Sequence, residues 1–187
     1  MSRRLAQGIR DEPVQRADAS PAAVVVALGA NLGDRADAIA QALGDLARLP
    51  LTRVTAAAAP IETVAVTLAG PDTDAPAYLN TVALLQTRLA PSVLLTYLHA
   101  IEARHGRERR ERWGDRTLDL DLIAYGDLRS DDPALTLPHP RAAERVFVLA
   151  PWAAVDPDAV LPGAGRVDAL LAALEDATAT GEAGAGS

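Results

Sequence analysis

Residues 106–122 read GRERRERWGDRTLDLDL, an arginine-rich segment that runs straight into an alternating one. In the last five residues, Leu118-Asp119-Leu120-Asp121-Leu122, apolar and acidic side chains follow each other with a period of two. That is the pattern of a strand with one face in a core. Residues i and i+2 of a strand share a face about 6–7 Å apart, so Asp119 and Asp121 project together while the leucines enter the interior. Two carboxylates on one face repel each other, and a cation relieves that. Hard divalent ions take oxygen ligands, and Mg²⁺ is typically held by one or two carboxylates plus substrate phosphates. Just upstream stand Arg107, Arg109, Arg110, Arg112 and Arg116, whose planar guanidinium forks grip phosphate oxygens bidentately. The Asp pair alone also fits an ordinary amphipathic strand with a solvated face. Taken with Arg109, Arg112, Trp113 and Arg116, it points to a site for a polyphosphate–Mg²⁺ complex.

Working upstream, Pro91 opens a helix in its first turn. Leu94, Leu95, Leu98 and Ile101 form its apolar stripe to about His105, and Gly106 fits the position that ends it. Tyr78 to Thr87 reads as a strand. Residues 60–77, with Pro60, Gly70, Pro71 and Pro76, read as a loop that can close over a ligand, with a short extended piece at Thr63 to Thr67. Leu51 to Ala59 is a weakly marked strand. A helix over 35–48 carries Ile39, Leu43 and Leu46 on one face, with Asp34 as its cap and Pro50 after it. Ala23 to Leu28 is a continuous apolar run, a buried strand, followed by the turn cluster Gly29 to Asp34. Downstream of the central stretch, Gly126-Asp127 is a turn and Leu135 to Leu137 a short extended piece. A short helix is expected from Arg141 to about Leu149 with Pro151 beyond it, and a last turn or two over Ala169 to Leu174.

The order strand, helix, strand, loop, strand, helix, strand is βαββαβ, a ferredoxin-like α+β arrangement. It predicts an antiparallel sheet with the helices packed on one face and the other face free for a ligand. Residues 1–21 read as a flexible leader, 22–175 as the domain and 176–187 as a disordered tail.

Composition narrows the chemistry. The chain has 187 residues, 49% of them hydrophobic, so it can bury a real core as one domain. There is no cysteine, which excludes disulfides, thiolate metal sites and cysteine nucleophiles. All 18 basic residues are arginine, so a Walker A lysine and a Schiff-base amine are excluded as well. Phosphate handling must rest on arginine and metal. The formal net charge of −7 argues against nucleic-acid binding. No apolar run is long enough to span a membrane, and residues 1–20 lack the apolar segment of a secretory signal. A cytoplasmic protein with small-molecule substrates is expected.

These residues resemble the 6-hydroxymethyl-7,8-dihydropterin pyrophosphokinase family over about residues 23–165. ALGANLGD (27–34) resembles the family's opening strand and turn, and YLNTV (78–82) its Y/F-L-N strand. Glu102 followed by GRERRERWGDRTLDLDL is similar to its signature R-W-G-P-R-x-L-D-L-D. LPHPR from Leu137, with Arg145 and Phe147, resembles its C-terminal block. Asp115 stands where the family usually has proline, Ala30 where it has serine, and the piece Thr63-Val64-Ala65-Val66 lacks the usual prolines.

The resemblance implies transfer of a pyrophosphoryl group from ATP to the pterin hydroxymethyl, with two Mg²⁺ ions, by a monomer. It implies that Asp119 and Asp121 hold the metal, and that Arg109 and Arg112 act catalytically with them. On the ATP side it implies His99, Glu102, Arg109, Arg112, Trp113, Arg116, Leu122, Thr136, His139 and Arg145. On the pterin side it implies Thr63, Val64, Val66, Tyr78, Asn80, Trp113, Asp119 and Phe147. A flat, polar-rimmed ligand wants aromatic faces and a few amide or carboxyl partners, which Phe147, Trp113 and Asn80 can supply. Two rival readings share the topology. An RNA-recognition domain needs exposed aromatics on the central strands and a basic face. A retired relative would bind nucleotide without turnover.

Overall fold

Nine residues, Ala22–Ala30, form β1, longer than the apolar run because Gly29 and Ala30 stay in the ladder. A computed structural model describes residues 20–67, 70–72, 76–105 and 118–184. Asp34 starts α1 (Arg35–Ala47): its side chain accepts the Asp37 amide at 3.0 Å, satisfying one of the open donors of the first turn. Next come β2 (Thr52–Ala57), β3 (Ile61–Thr63), β4 (Ala65–Thr67) and β5 (Gly70–Asp72), then β6 (Tyr78–Thr87). Pro91 stands in the first turn of α2 (Pro91–Arg104), and β7 is Asp119–Tyr125. The hairpin β8 (Ser130–Asp132) and β9 (Leu135–Leu137) leads to a 3-10 turn at Ala142–Glu144 and α3 (Val146–Val155). A small hairpin, β10 (Val160–Leu161) with β11 (Gly165–Arg166), opens into α4 (Val167–Gly184).

The main sheet runs β2-β6-β1-β7, with β3 also pairing with β6. Each of these pairings is antiparallel. This is the βαββαβ core expected from the sequence. One face carries Val24, Val26, Leu28, Leu85, Leu120 and Leu122 against Leu46 of α1 and Leu94, Leu98 and Ile101 of α2. Burying an aliphatic side chain of this size is worth about 1.5–3 kcal/mol, so the alternating leucines of β7 anchor the strand.

The other face is not left open as expected. Val25, Ala27, Val82, Ile123 and Ala124 form a second core with Val148, Leu149, Trp152 and Val167, so α3 and α4 roof much of that side. Two boundaries account for the difference. The helix expected to stop before Pro151 runs through it to Val155. Proline denies an amide hydrogen to the carbonyl four residues back, but Leu149 and Trp152, 0% and 3% exposed, hold the helix on either side. The last helix is not a turn or two but continues to Gly184, across much of the expected tail. Alanine-rich sequence favours helix, and Leu170, Leu171 and Leu174 pack on the second core. The leader, up to residue 19, lies outside the described residues.

Candidate active site

The register places the site. Gly29 of β1 pairs with Asn80 of β6 on one side and with Asp119 of β7 on the other. One step along, Ala27 pairs with Val82 and with Asp121. Leu28, Leu120 and Leu122 point to the α1/α2 core, so by alternation Asn80, Gly29, Asp119 and Asp121 all face the α3 side. Neighbouring strands lie about 4.8 Å apart, which puts Asn80 and Asp119 about 10 Å apart with Gly29, the one position of β1 without a side chain, between them. Gly29 is therefore the floor of a flat slot. A Cβ there would stand 2.8 Å from the Asn80 Oδ1.

Each wall of the slot is braced. Asn80, 6% exposed, donates from Nδ2 to the Thr63 Oγ1 at 2.7 Å. Thr63 pairs with Tyr78 across the β3–β6 ladder, so the amide is held between two strands. Arg35, at the start of α1, donates to the Ala77 carbonyl at 2.6 Å and to Glu62 at 2.7 Å, tying both stems of the intervening segment. On the opposite wall, Glu102 is buried and its Oε1 accepts the Leu120 amide at 2.9 Å. β7 ends the sheet order, so this carboxylate satisfies an outward N–H between the two aspartates.

A third side comes from the C-terminal segment. The β1–β7 register shifts between Val25 and Val26, and the Ile123 carbonyl accepts the His139 amide at 2.8 Å. That bond brings the imidazole to Asp121, with Nε2 3.9 Å from Oδ2. Burial lowers the pKa of His139 below the ordinary imidazole value; Arg145 and Arg141 act in the same sense, while Asp121 and Asp119 oppose. Arg145, just before α3, donates from Nη1 to the Asp121 Oδ2 at 2.9 Å. Its guanidinium carbon lies 5.5 Å from the centroid of the Phe147 ring, within cation–π range.

A model of the 7,8-dihydro-6-hydroxymethylpterin-pyrophosphokinase family matches residues 25–157. The chain belongs to this family. It is 44% identical over 150 residues to the 2-amino-4-hydroxy-6-hydroxymethyldihydropteridine pyrophosphokinase of Pseudomonas aeruginosa, covering 80% of this chain and 90% of that one. Against the enzyme of the same name from Synechocystis it is 40% identical over 155 residues, 83% of this chain and 77% of the other. A crystal structure of an HPPK-DHPS in complex with substrates superposes with a TM-score of 0.63 at 10% identity, covering 83% of this chain. The chain spans 43% of the length of that protein, and the likeness at this identity is one of fold.

Of the residues expected at a pyrophosphokinase site, Asn80, Thr63, Tyr78, Asp119, Asp121, His139, Arg145 and Phe147 are linked by the register and bonds above. Val64 is exposed beside Thr63, and Val66 lies in the β4–β5 hairpin. Thr136 stands on the β8–β9 hairpin and donates to the Asp132 carbonyl at 3.1 Å. The Leu122 side chain is in the α1/α2 core, so a nucleotide contact there is left to its backbone. His99 is exposed on α2. Glu102, expected on the ATP side, is buried on α2 and holds the Leu120 amide of β7 with its Oε1. Arg109, Arg112, Trp113 and Arg116 lie outside the described residues. Sequence reasoning missed Gly29 and Arg35; an i-to-i+2 reading of β1 past Ala27 reaches the glycine.

Proposed function

We propose that this chain transfers the pyrophosphoryl group of ATP to the hydroxymethyl oxygen of 6-hydroxymethyl-7,8-dihydropterin, a step of folate biosynthesis. The hydroxymethyl oxygen bonds to the β-phosphorus, the bond from that phosphorus to the α–β bridging oxygen breaks, and AMP leaves. The hydroxyl proton is released. The observation that supports this reading best is the row Asn80–Gly29–Asp119, a flat slot with an amide at one end and a carboxylate at the other. Asn80 reads the polar rim of the pterin, and Phe147 offers its ring to the heterocycle. Arg145 and His139 stand on the nucleotide side. At neutral pH the depressed pKa of His139 makes it an uncharged donor or acceptor rather than a cation. Arg109, Arg112, Trp113 and Arg116 complete the phosphate and ring contacts in this proposal.

The donor set fits magnesium. Asp119 and Asp121 are two half-exposed carboxylates on one strand face, and no cluster of three or more metal-ligating side chains occurs among the described residues. That matches an ion shared with substrate phosphates rather than caged by protein. Two Mg²⁺ ions held there would stabilise charge on the phosphoryl oxygens. The same proposal has the protein acting as a monomer in the cytoplasm, without nucleic acid. Its charge of −7 supports the last point, and no described helix is long and apolar enough to cross a membrane.

The test is product analysis with ATP, the hydroxymethyl-dihydropterin and Mg²⁺. AMP and pterin diphosphate in equal amounts, lost on chelation, are expected. ADP instead of AMP, or ATP binding without either product, would sink the proposal and favour a retired relative.

A further inference from the structure

We infer that Arg145 is the resting counter-ion of Asp121, competing with the metal for that carboxylate in the nucleotide-free protein and transferring to phosphate when the metal–nucleotide complex binds. The inference rests on the proposed metal role of Asp121. The Nη1–Oδ2 distance is 2.9 Å, and the two side chains are only 17% and 33% exposed, so solvent screens the pair weakly. A divalent cation on the same carboxylate would face a guanidinium at close range. The two cations therefore oppose each other, and by linkage each lowers the affinity of the other for Asp121.

The backbone of Arg145 is fixed. Its carbonyl accepts the Val148 and Leu149 amides at 2.9 and 3.0 Å, at the start of α3. Exchange of partner must then come from the side chain, which has several rotatable bonds and a planar fork suited to phosphate as well as carboxylate. The Phe147 ring, 5.5 Å from the guanidinium, gives it a surface along which to rest in either position. A purely structural arginine would support metal and nucleotide alike. A counter-ion that changes partner affects them with opposite signs.

That sign difference is the experiment. Mn²⁺, a hard ion that suits the same oxygen ligands, is titrated into the nucleotide-free protein and followed by electron paramagnetic resonance. A nonhydrolysable ATP analogue with Mg²⁺ is titrated separately by calorimetry. Arg145→Gln should bind Mn²⁺ alone at least about 5-fold more tightly and the Mg²⁺–analogue complex at least about 5-fold more weakly, the lower end of usual site-to-site coupling. Arg145→Lys, which keeps the charge, should bind Mn²⁺ close to the wild-type value. Weaker or unchanged Mn²⁺ binding in a folded Arg145→Gln protein overturns the inference. Asp121→Asn is the separate control: if it keeps wild-type Mn²⁺ affinity, the metal role of Asp121 fails and the inference falls with it. If it loses that affinity, the Arg145 result alone decides.

Discussion

The two faces of the sheet are built from the same strands and have different composition. Toward α1 and α2 the strands present Val24, Val26, Leu28, Leu85, Leu120 and Leu122, and the layer is dominated by aliphatic packing. Toward α3 the same strands present Val25, Ala27, Val82 and Ile123 for part of their length, then Gly29, Asn80, Asp119 and Asp121. At that end the helical roof contributes Arg145 and Phe147 instead of more aliphatic cover. From Asp119 to Leu122 each residue step along β7 therefore switches between chemistry and stability, and a side chain's job there is set by parity; beyond the register shift Ile123 and Ala124 both pack on the α3 side.

That contrast can be broken by substituting adjacent residues. Asp121→Asn, and separately Asp119→Asn, should cut AMP formation by about 100- to 1,000-fold, the usual loss when one group that stabilises transition-state charge is removed. The melting temperature of Asp119→Asn should stay close to wild type, because that side chain is partly exposed, while Asp121→Asn also leaves the largely buried Arg145 without its ion-pair partner and should lower it modestly. A carboxamide at Asp121 that retains more than half the rate would remove the chemical face from the account. Leu120→Ala, one residue away, should do the reverse. Leu120 is 2% exposed, and such truncations cost about 2–5 kcal/mol. Urea unfolding should show that loss, while turnover per folded molecule changes little. A fully stable Leu120→Ala protein with impaired turnover would show that parity does not separate the two roles.

The α1/α2 side was the legible one. Its strands and helices announce themselves by periods of 2 and 3.6, and Leu118, Leu120 and Leu122 all enter the core as that pattern requires. Asp119 and Asp121 were legible for the same reason in negative. The α3 side was not. Leu122 and Ile123 are both apolar and straddle the register shift, which hides the alternation. Pro151 reads as a stop, and only tertiary burial of Leu149 and Trp152 overrides it. Glycine is depleted in strands, which gives Gly29 to Asp34 the look of a turn although Gly29 lies within β1. The Arg145–Asp121 pair spans 24 residues, and no local pattern couples positions so far apart.

Gly29 gives a sharper test of the slot itself. Its Cα faces the Asn80 amide, and a methyl group would meet the Oδ1 at 2.8 Å, a contact that forces the amide to shift. The amide cannot move freely, because its nitrogen is bonded to Thr63. Gly29→Ala should raise the KM for the pterin by about 10-fold, the lower end of what one added carbon costs in a fitted pocket. The KM for ATP should be unchanged, since the displaced group is on the far wall from Asp121. Equal changes in both constants would mean that Asn80 and Asp121 do not serve different substrates.

The smallest effect concerns His139, where the C-terminal segment meets the chemical face. Burial lowers its pKa, helped by Arg145 and Arg141 and opposed by Asp121 and Asp119. The folded protein then binds a proton less readily than the unfolded chain, whose imidazole titrates near 6.5. Between the folded and unfolded values the unfolded state carries more protons, so stability rises with pH across that window. The contribution is complete above the unfolded value and declines as the pH falls through it. Thermal unfolding of the metal-free protein at pH 5, 6, 7 and 8 should therefore show a steeper acid-side loss in wild type than in His139→Gln, with the curves parallel above about pH 7. An NMR titration of His139 should give a midpoint below the ordinary imidazole value. A midpoint above it would mean that the Asp121 carboxylate outweighs burial, and that the imidazole is a second cation on the carboxylate Arg145 already holds.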